Sequence, residues 1–118
     1  GLTYIVTENG WGNETQTEAL DVVDLERCNY YRDYIGNLSK TAAEKNIQVG
    51  AYFAWSLMDN YEWTDGFSTR FGLTYVDYDT QNRVPKLSAK WFQKYITPLR
   101  TLPTDGQPLP ECSTDLMD

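Results

Sequence analysis

The run "IQVGAYFAW", from Ile47 to Trp55, constrains the fold more than any other stretch of the chain. It is nearly continuous in apolar character. That is the pattern of a strand covered on both faces, as in a parallel sheet, rather than of a strand with one wet side. A shorter run of the same kind, Tyr4-Ile5-Val6, opens the chain within "YIVTENG". Between the two, Leu25, Cys28, Tyr31, Ile35, Leu38 and Ala42 recur at intervals of three and four, the signature of one helical face. Asp21, Asp24 and Glu26 lie near the start of this helix and Lys40 and Lys45 near its end, matching the macrodipole. Strand, helix and strand at this spacing form a βαβ unit.

The remainder adds few regular elements. Gly10 to Thr17 reads as a polar loop, and "SLMDNYEWTDGFSTRFG" as a polar and aromatic loop without periodicity. "FGLTYVDY" alternates Phe71, Leu73 and Tyr75 against Thr74, Val76 and Tyr78 and is expected to be a short strand, turned by "DTQN". Past Pro85, Ser88 is expected to cap a helix that carries Trp91, Phe92, Tyr95 and Ile96 on one face. Residues 98–118 hold four of the five prolines and no periodicity, so they read as an extended tail, wrapped on a surface or disordered. There is no internal repeat.

A single βαβ unit with a final helix cannot close a sheet, because two parallel strands leave both edges unpaired. The chain is therefore expected to be a piece of a larger α/β fold. The architecture that repeats such units is the (β/α)8 barrel, typically ~250 residues long. The absence of an initiator Met points the same way.

Net charge and composition exclude several functions. At −7, with a pI near 4.4, the chain is not expected to hold nucleic acid through phosphate contacts. No run approaches the ~20 apolar residues that span a bilayer, so no membrane partner is expected. With no His and two widely spaced cysteines, no metal site and no His-based triad is expected. Cys28 and Cys112 can be bonded or free. The sequons Asn13-Glu14-Thr15 and Asn37-Leu38-Ser39 lean towards a secretory route. Four Trp and nine Tyr beside Asp, Glu and Asn suit a sugar site, though they also suit a dense core.

Glu8 poses the sharpest question, since a carboxylate at the end of an apolar strand must be hydrogen-bonded, paired or used. The plain reading is that it starts a solvated loop. In a (β/α)8 barrel, however, functional residues sit at the carboxyl ends of strands. Glu8 ends the first strand and Trp55 the second, so both fall on one rim.

"TENG" after one apolar strand, "YFAWSLMDNYEW" after the next, "RFGLTYVDY", and "PKLSAKWF" in the last helix resemble glycoside hydrolase family 1, the β-glucosidase family. The likeness runs from Leu2 to about Ile96, with no counterpart for the tail. It implies a (β/α)8 barrel of which residues 1–97 supply strands seven and eight plus the closing helix, the rest of the barrel being required as a partner. It implies that Glu8 is the catalytic nucleophile and Trp55 the platform beneath the glycosyl unit. Glu62 would accept from the O4 and O6 hydroxyls, Trp63 donate near O3, and Phe71 form the wall near C6. A pyranose suits such a set, having apolar C–H faces for an indole and hydroxyls for paired acceptors and donors. Against these roles, Trp55 and Phe71 also fit a barrel core, and Glu62 a loop carboxylate paired with Arg70. Asp59, Asn60, Asn9 and Gly10 read as structural.

The activity implied is retaining hydrolysis of β-D-glucosides without a cofactor, Glu8 attacking the anomeric carbon while a second carboxyl ~5–5.5 Å away serves as acid and base. The family's "NEP" sequence for that second group is missing, so the acid/base is expected elsewhere and the present residues alone are expected to be inactive. Thioglucosidases of the same family lack the acid/base and remain an alternative, as does a non-catalytic carbohydrate-binding relative. Phosphoglycosidases fit less well, because a carboxylate at Glu62 would repel a phosphate.

Overall fold

The computed structural model describes residues 1–14, 17–99, 101–103 and 107–118. Strand β1 (Thr3–Asn9) leads to a two-residue strand β2 (Asn13–Glu14), a short helix α1 (Glu18–Val22), the long helix α2 (Leu25–Lys45) and strand β3 (Gln48–Ala54). β1 and β3 pair in parallel, with α2 as the crossover, as the two apolar runs and the helical period between them require. Strand β4 (Thr69–Arg70) pairs antiparallel with β2, and β5 (Thr74–Val76) pairs antiparallel with β6 (Arg83–Pro85), before helix α3 (Leu87–Tyr95). The stretch read as a loop from Gly10 to Thr17 thus contains a strand, while its Thr15 and Gln16 lie outside the described residues. The described residues form three two-stranded sheets and no closed barrel.

The register between β1 and β3 is offset twice. Tyr4 faces Val49 but Ile5 faces Ala51, which places an extra residue, Gly50, on β3. Val6 faces Tyr52 but Asn9 faces Ala54, which places an extra residue on β1 between them. The offsets cancel, so the two strands end in step. Gly50 is dictated by space, since a Cβ there would lie 2.7 Å from Thr3 Cγ2.

α2 ends because Asn46 adopts a left-handed conformation (φ 54°), which a short polar side chain tolerates, and Ile47 N–H then closes onto Ala42 O at 2.8 Å. Its inward face is only partly the one expected. Cys28, Tyr31 and Ile35 are buried, against Trp91 of α3 and Leu109 of the tail. Leu25, however, is 39% exposed, and Arg27 and Ser39 are buried instead. The stripe bends because the first turn of α2 packs on charged groups rather than on the apolar core.

Ser88 is not the helix cap that the sequence led us to expect. α3 begins one residue earlier, and Ser88 donates its backbone N–H to Asp24 Oδ1 at 2.8 Å and its hydroxyl to Asp24 Oδ2 at 2.5 Å. Asp24, at the head of α2, therefore satisfies an orphan donor at the head of α3. Local sequence cannot signal a cap contributed from 64 residues away.

The tail is wrapped, not free. Cys112 is bonded to Cys28, Trp91 Nε1 donates to Pro110 O at 2.9 Å, Arg32 pairs with Glu111 at 2.5 Å, and Ser39 donates its hydroxyl to Pro103 O. Leu109 is buried, and a 3-10 turn at Thr114–Met117 packs on α3. Arg100 and residues 104–106 of the tail, like Thr15 of the first sequon, lie outside the described residues. In the second sequon Asn37 is exposed and donates to Asp33 O, while Ser39 is buried. Among the described residues no helix is long and apolar enough to cross a membrane.

The disulfide closes a sequence separation of 84 residues. By chain entropy such a loop is worth about 4–5 kcal/mol. Cys112→Ser is expected to lower the unfolding midpoint accordingly, and to make the tail the first site of cleavage in limited proteolysis. An unchanged midpoint and cleavage pattern would show that the bond holds nothing in place.

Candidate active site

The ends of β1 and β3 are drawn together by the backbone. Trp55 N–H donates to Asn9 O at 2.7 Å, and the Tyr31 hydroxyl of α2 donates to Trp55 O at 3.1 Å. Gly10 makes this approach feasible, because a Cβ there would stand 1.8 Å from Trp55 O. Glu8 and Trp55 therefore share one rim, both exposed to solvent. Glu8 forms no hydrogen bond or ion pair with another described residue, so its carboxylate is not occupied in holding the fold.

Phe71 joins the same rim from the other side. Its carbonyl accepts from Ser56 N–H at 3.0 Å, and its ring lies over Gly12, where a Cβ would sit 2.4 Å from the ring. The ring is half-buried, not enclosed in a core. The Trp55–Ser56 peptide bond is cis.

Glu62 and Trp63 sit farther along the loop that follows β3. A tight turn carries them: Glu62 N–H donates to Gly66 O at 2.6 Å and Asp65 N–H to Glu62 O at 2.9 Å, with Trp63 and Gly66 both at positive φ. Trp63 is 76% exposed. Among the described residues Glu62 makes no ion pair, and Arg70, the partner weighed for it, is bound to Asp59 instead. No hydrogen bond, ion pair or ring contact among the described residues joins Glu62 or Trp63 to Glu8, Trp55 or Phe71.

What fixes this loop is Asp59. It is buried and accepts four hydrogen bonds: Lys86 Nζ at 2.9 Å and Gly72 N–H at 2.9 Å on Oδ1, Arg70 Nη1 at 2.7 Å and Val76 N–H at 3.2 Å on Oδ2. Lys86 also pairs with Asp21 at 2.8 Å. The guanidinium of Arg70 lies between the Tyr75 and Tyr78 rings, 4.4 and 4.5 Å from their centres. Burial alone would lower the Arg70 pKa, but the hydrogen bond and charge of Asp59 outweigh it and raise it. Asn60 donates to Ser56 Oγ and to Met58 O, which completes the structural role that the sequence assigned to both residues.

Asn9 was read as a turn residue, and its side chain does more. Its amide donates to the Tyr30 hydroxyl at 2.9 Å and accepts from the Tyr52 hydroxyl at 2.5 Å. The only available signal was two tyrosines on elements that a βαβ unit must bring together. A cavity of about 570 Å³ is lined by Met58, Asp59, Asn60 and Tyr61 of the loop after β3 with Phe67 and Tyr78, and one of about 340 Å³ by Ile35, Val49, Tyr52, Phe92, Ile96 and Leu102. Glu8 and Trp55 line neither. No cluster of His, Cys, Asp and Glu among the described residues could hold a metal ion.

Two parallel strands joined by a helix thus bring an exposed carboxylate and an exposed indole to adjacent strand ends. The sequence matches the family described as Glycosyl hydrolase family 1 over residues 2–100, and the chain belongs to that family. It is 47% identical over 96 residues to the protein named putative beta-glucosidase 15 of Oryza sativa subsp. japonica, covering 80% of this chain and 26% of that one. Among solved structures, rice Os3BGlu6 beta-glucosidase, in a variant captured in a covalent complex with Glc, aligns with a TM-score of 0.73 at 41% identity, over 77% of this chain and 20% of that one. Beta-glucosidase 2 from the fungus Trichoderma reesei, in complex with Tris, gives 0.74 at 43% identity, over 78% and 21%. The chain thus spans about a quarter or less of the length of these relatives.

Replacing Asp59 by Asn would leave Arg70 and Lys86 with half of their compensating charge removed. Breaking a buried pair in this way typically costs about 3–5 kcal/mol. Denaturant unfolding of Asp59→Asn is expected to show a loss of that order. A loss below 1 kcal/mol would mean that the loop after β3 is held by something else.

Proposed function

We propose that the protein is a retaining β-glucosidase in which residues 1–97 form the C-terminal part of a (β/α)8 barrel and residues 98–118 a tail on its surface. Glu8 is its nucleophile. The observation that carries this reading is a free, exposed carboxylate at the end of β1, tied by the Asn9–Trp55 backbone bond to an exposed indole at the end of β3. A covalent complex with Glc in a relative aligned at 41% identity supports a covalent route.

In the first step Glu8 attacks the anomeric carbon as the glycosidic bond breaks, and a carboxylic acid protonates the departing oxygen. In the second step the same group, now a carboxylate, takes a proton from water, which releases the sugar from Glu8. The "NEP" sequence that the resemblance implies for this role does not occur in residues 1–118, so we assign it to a segment outside them. Trp55 offers its face to the C–H side of the sugar ring, and Phe71 closes the side near C6. Glu62, whose carboxylate makes no hydrogen bond or ion pair with another described residue, accepts from the O4 and O6 hydroxyls, and Trp63 donates near O3.

Incubation of the complete enzyme with a 2-deoxy-2-fluoro-glucoside, followed by peptide mass mapping, is expected to find the label on Glu8. Glu8→Gln is expected to abolish labelling while leaving the fold intact. A label on another residue, or none in an active enzyme, would refute the nucleophile, and neither label nor turnover would favour a binding protein. Glu62→Ala removes a charged acceptor worth about 1.5–3 kcal/mol per bond. It is expected to lower kcat/KM on an aryl glucoside by on the order of a hundredfold or more. Near-normal efficiency would remove Glu62 from the sugar site.

A further inference from the structure

The extra residue that offsets β1 against β3 falls between Val6 and Asn9, within the pair Thr7-Glu8. A bulge of this kind re-aims a side chain, and it also interrupts the ladder that would otherwise hold that side chain in place. The candidate nucleophile therefore sits on the least supported part of its strand, and something outside the ladder must fix it.

The hydrogen bonds around Asn9 supply that support. On the near side of the offset, Val6 is paired with Tyr52, and the Tyr52 hydroxyl reaches past it to Asn9 Oδ1. On the far side, Asn9 O accepts from Trp55 N–H. From the helix layer, the Tyr30 hydroxyl accepts from Asn9 Nδ2, and Tyr31 donates to Trp55 O. Asn9 is thus held through its side-chain oxygen, its side-chain nitrogen and its carbonyl at once, from β3 and from α2. The tyrosines are themselves fixed. Tyr31 is fully buried and packs edge-on against Phe92, and Tyr30 stands edge-on to Tyr31 and lies 5.6 Å from the Trp11 ring. Burial raises the pKa of the Tyr31 and Tyr52 hydroxyls, which keeps both protonated and donating at neutral pH.

We propose that Tyr30 and Tyr52 are positioning residues that grip the Asn9 amide, and through it set the direction of Glu8 across the strand offset. This rests on the reading of Glu8 as nucleophile. The tyrosines touch no reacting atom. They act by restricting the carboxylate to the attack direction, and a misplacement of about an ångström in such a group costs up to about a hundredfold in rate.

The test uses the complete enzyme with Tyr52→Phe and, separately, Tyr30→Phe, each losing one hydroxyl and no ring. The rate of labelling by the 2-deoxy-2-fluoro-glucoside is measured beside the labelled residue and the melting temperature. We expect the label to remain on Glu8, the labelling rate and kcat to fall roughly ten- to a hundredfold, and KM to change little. A lowered melting temperature with an unchanged labelling rate in the folded enzyme would overturn the proposal and leave the tyrosines a structural role. Labelling of wild-type enzyme at a residue other than Glu8 would instead overturn the nucleophile assignment on which it rests.

Discussion

Three buried carboxylates, Asp21, Asp24 and Asp59, and three buried cations, Arg27, Arg70 and Lys86, form the charged interior on which the loops of this chain depend. Asp24 binds Arg27, Lys86 bridges Asp21 and Asp59, and Asp59 binds Arg70. Arg27 links the two halves, donating to Trp11 O at 2.9 Å and to Arg70 O at 2.8 Å. The charges balance, and every member but Asp21 is also hydrogen-bonded through its side chain, which limits the penalty for burying ions. Asp21 Oδ2 faces Lys86 Nζ at 2.8 Å without a hydrogen bond among the described residues. Burial still disfavours the charged form of Asp24, whose pKa is raised despite Arg27 and Ser88. With its folded pKa above the unfolded value, charged Asp24 weakens the fold at neutral pH, and the penalty is relieved as pH falls through the raised pKa. An ion network of this kind specifies one arrangement of loops more than it adds to stability.

That specification reaches the rim. Fixing Arg70 fixes Phe71 beside it, and fixing Asp59 fixes the start of the loop that carries Glu62 and Trp63. The apolar core of Cys28, Tyr31, Ile35, Trp91 and Leu109 lies between the two long helices and the tail, and it supports the rim from below through Tyr31 alone among those five. Helix packing thus sets where the strands run, and buried charge sets what their ends present.

The elements were legible in the sequence where their signal was local. The apolar run from Ile47 to Trp55, the helical period after Leu25 and the aromatic face around Trp91 each appear as strand, helix and helix. Glu8 and Trp55 could be placed on one rim because parallel strands must end on the same side. What was not legible was partnership at a distance. Ser88 looked like a cap because hydroxyls usually serve their own helix, yet its oxygen serves Asp24. Arg70 was only weighed as an alternative partner for Glu62, eight residues away, and Asp59 binds it instead. The single apolar residues of a proline-rich tail carry no period, so the burial of Leu109 could not be read from spacing.

The surfaces left uncovered are informative in the same physical terms. Tyr4 and Ile5 are 56% exposed and Phe53 57%, all on the parallel strand pair whose continuous apolar character calls for cover on both faces, and Leu2, just ahead of it, is 77% exposed. Both edges of that pair are also open, a state that stable sheets avoid. The related solved structures, of whose length this chain matches only 20–21%, hold further residues available for that cover. The tail behaves in the opposite way. Most of its residues lie beyond residue 100, where the match to the family ends, yet Leu109 and the Cys28–Cys112 bond tie it to the helix layer. The chain is therefore open along its strand pair and closed where α2 and α3 meet the tail. That is the distribution expected if the shared strand ends form part of a barrel rim and the tail serves only the helices behind it.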